Sequence, residues 1–109
     1  MPLRLPSVLN PVAQDAAKKL GLLVTIGRRE RAWSQVELAE RIGTSHVTIR
    51  KIERGDPSVA IGLYFQAAVL TGVPLFNVEP RSKLTMDADQ LRLALLPKRI
   101  DRRKVDNDF

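Results

Sequence analysis

The chain contains no cysteine, which removes disulfides and thiolate metal ligands together, and its single histidine, His46, has no second ligand type clustered beside it. No metal and no cofactor is therefore expected. Aromatic residues are scarce, with one Trp, one Tyr and three Phe in 109 residues, so there is no series of rings on which single-stranded bases would stack. No apolar run is long enough to span a bilayer, and no charged-then-apolar leader ends in a small-residue cleavage site. These absences predict a soluble protein of the cytoplasm. The parts of an enzyme are missing as well: no Gly-rich phosphate loop follows a strand, and no carboxylate pair sits in an apolar surround. The sequence reads as that of a non-enzyme.

What is present is positive charge. Eighteen Lys and Arg against twelve Asp and Glu leave the chain at +6, with a pI near 10.3, a balance that favours polyanionic partners. No segment pairs a long apolar face with a lysine-rich opposite face, so nucleic acid is a better partner than a membrane surface. The length suits one modest core with arms and tails around it.

Local signals divide the chain into helices. Residues 1–10 carry two prolines and no helical period, which reads as an N-terminal arm. Asn10 and Pro11 have the order of an N-cap followed by a first helical residue. Beyond them Val12, Ala16, Leu20, Leu23 and Ile26 recur at steps of three and four, with Val24 on the flank, as in an amphipathic helix to Arg31. Gly21 and Gly27 within it mark either a close helix contact or a break. Ser34-Gln35-Val36-Glu37 has the form of a capping box, and Trp33 with Leu38 has the spacing of a hydrophobic staple, so the next helix start is specified twice. That helix should stop at Gly43. Ser45 can cap a third helix ending at Gly55, with Ile49 and Ile52 facing inward.

Val59 to Thr71 is apolar broadly enough for a helix packed on two sides, ending at Gly72. Pro74 can open a short helix carrying Leu75 and Phe76. Residues 77–85 have linker composition, and Asp87-x-x-Gln90 resembles a capping box before the leucines of 91–96, with Pro97 as the stop. The tail 98–109 is charged and poor in apolar residues, which predicts flexibility when it is alone. The expected fold is thus all-α: five helices of a helix-turn-helix domain over 11–78, an extra C-terminal helix within 79–97, and a flexible basic tail.

Two short helices joined by a tight turn, the second capped, form the unit that lays its second helix in the DNA major groove. With Ile49 and Ile52 turned to the core, His46, Val47, Arg50 and Lys51 occupy the outer face and are the base-reading candidates. His46 can donate to guanine, Val47 can pack on a thymine methyl, and Arg50 or Lys51 can reach guanine or phosphate. Gln35 opens the second helix, where orphan N–H groups and the positive dipole end suit a phosphate. Ser34, Ser45 and Ser58 can add hydroxyl contacts to phosphate, although capping or turn formation alone would explain them. Arg54, with Arg29 and Arg31, completes the phosphate candidates; each also reads as a solvated surface residue.

The segment SQVELAERIGTSHVTIRKIERG resembles the helix-turn-helix core of lambda-repressor and Cro-like (XRE) regulators, with Gln35, Leu38, Ala39, Gly43, Ile49, Ile52, Glu53 and Gly55 in register. The resemblance spans roughly residues 20–78. It implies that His46 and Val47, and Lys51 one turn on, touch base edges, that Gln35 touches the DNA backbone, and that Arg28 pairs with Glu53 to fix the third helix. It also implies a homodimer on two-fold operator DNA. Leu75, Phe76, Val78 and the leucines of 91–96 offer apolar surface for a second copy, or else close the monomer core. The stretch GDPSVAIGLYFQAAVLTGVPLF with a basic tail ending KVDNDF is similar to HipB-type antitoxins, encoded beside HipA-type Ser/Thr kinase toxins. That narrower resemblance implies autorepression and capture of a HipA-like kinase, with Arg102, Arg103 and the terminal Phe109 as partner-binding residues. The competing expectations are an XRE regulator of phage or metabolic type without a toxin, and a protein-interaction adaptor that has left DNA. A bacterial, nucleoid-associated location follows from the first reading.

Overall fold

The computed structural model describes residues 9–76 and 87–98. Within them the chain forms five helices and no strand: α1 (Pro11–Glu30), α2 (Gln35–Ile42), α3 (His46–Glu53), α4 (Ile61–Leu70) and α5 (Asp87–Leu95). Most of the expected arm, the linker with Val78, and the tail with Arg102, Arg103 and Phe109 lie outside the described residues.

Each helix start has a local cause. The Asn10 side chain accepts from the Val12 N–H at 2.7 Å and Pro11 occupies the first turn, so α1 begins where its backbone donors find a substitute partner. The capping box of α2 is complete: Ser34 Oγ accepts from the Glu37 N–H at 3.0 Å, and Glu37 Oε1 accepts from the Ser34 N–H at 3.0 Å. Gly43 ends α2 at φ +89°, a left-handed turn that glycine adopts without a Cβ penalty, and Ser45 caps α3 two residues later. The helix-turn-helix geometry is thereby written into a dozen consecutive residues.

The core is Val24, Leu38, Ala39, Ile49, Ile52, Tyr64, Ala67, Ala68 and Val73, drawn from α1 to α4 and the turn that follows. Helix α1 is unbroken, and both its glycines lie on the buried stripe. A methyl at Gly21 would sit 2.7 Å from the Glu53 carbonyl oxygen and closer still to that of Ile52, while one at Gly27 would strike Thr71. The two glycines therefore let α1 approach α3 and the end of α4 at backbone contact, which corrects the expected register. Val24 lies at the centre of the stripe and not on its flank, whereas Val12, Ala16 and Ile26 face outward.

Three further departures concern the second half of the domain. Helix α4 starts two residues later than its apolar pattern indicated, after Ala60, and buries only one side: Tyr64, Ala67 and Ala68 are inside, while Ile61, Val69 and Leu70 are exposed. Pro74 opens no helix over residues 74–76, because Phe76 takes φ +54°, a left-handed conformation that no right-handed helix continues. Asp87 is the first residue of α5 and not its cap.

Candidate nucleic-acid interface

Helix α3 has two unlike faces. Ile49 and Ile52 are fully buried, and His46, Val47 and Arg50 project from the opposite side, with Lys51 half-buried at its margin. The helix therefore cannot roll without pulling two isoleucines out of the core, at a cost of about 1.5–3 kcal/mol each. The four base-reading candidates share one surface for that reason.

Its inner end is clamped by ions. Arg28 of α1 donates from Nε to Glu53 Oε2 at 2.5 Å and from Nη2 to Oε1 at 3.0 Å, and its Nη1 donates to the Trp33 carbonyl at 2.8 Å. Both side chains of the pair are more than nine-tenths covered. Burial pushes the Glu53 carboxyl towards a higher pKa, but hydrogen bonds from Arg28 and Gln35 and the Arg28 charge outweigh it and leave the pKa below the ordinary value. For Arg28 the bond to Glu53 dominates and raises its pKa against a smaller desolvation. The pair expected at Arg28 and Glu53 is thus formed, bidentate, and locked in its charged state.

Gln35 is placed differently from a free phosphate contact. Its Nε2 donates to Glu53 Oε1 at 3.0 Å, so the first residue of α2 is tied to the last residue of α3 through a carboxylate already held by α1. The remaining amide hydrogen and the backbone N–H groups of Gln35 and Val36, ahead of the capped Glu37, stay available for an anion. Ser34 and Ser45 serve as caps; Ser45 Oγ accepts from the Thr48 N–H at 3.2 Å and lies 3.1 Å from Thr48 Oγ1. Ser58 donates both its N–H and its hydroxyl to Asp56 Oδ1, at 2.8 and 2.7 Å, closing the turn after α3. Those bonds, ahead of Arg54, hold the Asp56 carboxyl below its usual pKa. Arg54 reaches Asp56 at 3.5 Å but remains largely exposed.

Arg31, another of the phosphate candidates, is exposed but engaged on one side: Nη1 donates to the Gly27 carbonyl at 3.1 Å and to the Thr71 carbonyl at 2.9 Å. It joins the end of α1 to the end of α4. Arg29 stays exposed. Sequence reasoning missed two residues here. Thr71 is buried, with its hydroxyl donating to the Ala67 carbonyl at 2.6 Å, and Arg41 stacks its guanidinium 4.1 Å from the Trp33 ring centroid. Trp33 is half-buried against the core, as the staple position requires, with this cation over its outer surface. Trp33 lies before the cap of α2 and Arg41 near its end, so helical spacing alone gave no signal for this contact.

Residues 24–76 match the helix-turn-helix family. The matched segment, a little under half of the chain, holds α2, α3 and the turn between them, and the match supports a helix-turn-helix domain similar to those of XRE-type DNA-binding regulators. Among curated proteins none matches the chain. Among the described residues no helix is long and apolar enough to cross a membrane, and no group of His, Cys, Asp and Glu is gathered as a metal site would need.

Proposed function

We propose that the chain is a sequence-specific repressor that binds two-fold operator DNA as a homodimer, and that it is the antitoxin of an operon encoding a HipA-like Ser/Thr kinase. The observation that carries the operator reading is the opposition within α3: an outer face of His46, Val47, Arg50 and Lys51 on a helix whose inner face is buried and ion-clamped. A rigid helix presenting donors and one methyl-sized apolar contact is what direct readout requires. Backbone N–H groups at the starts of α2 and α3, with Ser34, Gln35, Ser45, Ser58 and Arg54 around them, would grip phosphates on either side. Gln35 then acts in two directions, holding Glu53 while its spare N–H meets the backbone. The antitoxin reading is supported by the sequence resemblance given above, and it assigns kinase capture to Arg102, Arg103 and Phe109.

The test is a fluorescence titration against the chain's own upstream promoter fragment and a scrambled control at two salt concentrations. The wild type should prefer the promoter by about a thousandfold or more. His46→Ala with Val47→Ala should erase that preference while leaving weak, salt-sensitive binding to both fragments. An unchanged preference in the double variant would remove the base-reading assignment.

A further inference from the structure

Two apolar surfaces are left uncovered on this chain, and they are complementary. The first is a groove of about 410 Å³ between α2 and α4, lined by Ile42, Phe65, Val69 and Leu70 with Arg41 and Gln66 at its rim. Phe76, three-quarters exposed, extends it, its ring edge-on to Phe65 at 6.3 Å between centroids. The second is α5. Leu91, Leu93, Leu95 and Leu96 are 62, 70, 77 and 59% exposed, and α5 belongs to none of the packed helix pairs. A nine-residue helix has little stability by itself in water, since nucleation is costly and helices shorter than about 12–15 residues are marginal. Its leucines have to be covered for it to persist.

We propose that the cover is a second copy: each α5 seats in the α2/α4 groove of the other chain, so that the homodimer inferred above forms by exchange of its C-terminal helices. Three features bear on this seating. At 100° per residue Leu91 and Leu95 make one stripe and Leu93 and Leu96 another on a different side, and a helix apolar on two sides is buried on two sides. One groove covers only one of them; with each α5 in its partner's groove, the second stripe is left to meet the other copy across the two-fold axis. The described chain runs to Phe76 at the edge of the groove, and the ten residues 77–86 span at most about 33–36 Å, a reach that does not confine α5 to its own domain. The groove's rim is cationic at Arg41, and the first turn of α5 brings Asp89, whose exposed carboxylate is held only by a 3.9 Å pair with Arg92 on its own helix. The same contact fills the outer side of α4, whose Val69 and Leu70 the monomer leaves open.

The absence of native cysteine makes the test direct. Val69→Cys and Leu95→Cys are made as separate, differently tagged full-length chains, mixed, and oxidised. The expected product is a disulfide between the two tags, with little from either variant alone. The Leu91→Asp, Leu95→Asp double variant should keep the helical content of α1 to α4 and raise the dimer dissociation constant by about a hundredfold or more, since two buried leucines are lost. Cross-linking only within a chain carrying both cysteines would assign α5 to its own groove and overturn the proposal, as would a disulfide formed by Leu95→Cys alone or an unaltered dimer in the Asp variant. The proposal rests on the homodimer reading, but its outcome separates from the operator reading. A swapped dimer indifferent to DNA sequence would remove only the operator function, and an operator-specific protein cross-linked only within one chain would remove only the swap.

Discussion

Glu53 receives hydrogen bonds from two residues on two other helices, Arg28 of α1 and Gln35 of α2, while its own backbone closes α3. Removing the carboxylate would leave the Arg28 guanidinium buried without its partner, a change that typically costs about 3–5 kcal/mol. Glu53→Gln is therefore expected to lose several kcal/mol at neutral pH in urea unfolding. The sign of the pH dependence follows from the lowered pKa of Glu53: its contribution is fully present above the ordinary carboxylate range and is lost as the pH falls through the folded value. The gap between wild type and Glu53→Gln should thus be widest near neutrality and narrow as the pH falls below the ordinary carboxylate range. A constant gap would mean that the charge of Glu53 does not hold the clamp. From sequence, Arg28 and Glu53 could be paired only by register with a known motif, because 25 residues separate them. The Gln35 contact was not legible at all, since an amide at a helix start serves a phosphate or a carboxylate equally well.

Helices α2 and α3 were legible almost to the residue because every signal that sets them is local: Ser34 with Glu37, Gly43, and Ser45 with Thr48. Helix α1 was legible as a helix but not in its buried face. Which stripe turns inward depends on where α3 and α4 press against it, and the two glycines on that stripe look like weaknesses in a propensity reading. They can be told apart from ordinary glycines by experiment. Gly21→Ala improves helix propensity by about 1 kcal/mol yet drives a methyl into the backbone carbonyls of Ile52 and Glu53, so a net destabilisation of about 1–3 kcal/mol is expected. Gly62→Ala in α4 meets nothing within 4 Å and should be neutral or stabilising by about 0.5–1 kcal/mol. Thermal melts of the two variants should move in opposite directions; movement in the same direction would deny that α1 approaches α3 at backbone contact. The helix expected at Pro74 failed for a comparable reason, since the left-handed Phe76 beside Phe65 is a tertiary choice that Pro-Leu-Phe does not announce.

Across the whole molecule positive charge is spread between the domain and the last twelve residues, which carry five basic and three acidic side chains. Two roles compete for that segment, an electrostatic track along DNA and a hook for a kinase, and they differ in what truncation after Pro97 would do. A DNA track contributes counterion release, so its loss would flatten the dependence of affinity on salt by roughly one unit of slope for each phosphate contact given up, with little change in operator preference. A hook contributes its terminal Phe109 to a pocket, and burying one aromatic anchor can dominate an interface. On the antitoxin reading, truncation after Pro97 is expected to change operator affinity by less than about tenfold, because α3 and its phosphate-gripping neighbours are untouched, and to abolish measurable binding of the kinase encoded by the neighbouring gene. Isothermal titration of the kinase with full-length and truncated chains, beside the promoter titration, reads both effects. Equal kinase affinity for the two chains would remove Arg102, Arg103 and Phe109 from the partner site. A flattened salt slope would then reassign the five cations to DNA.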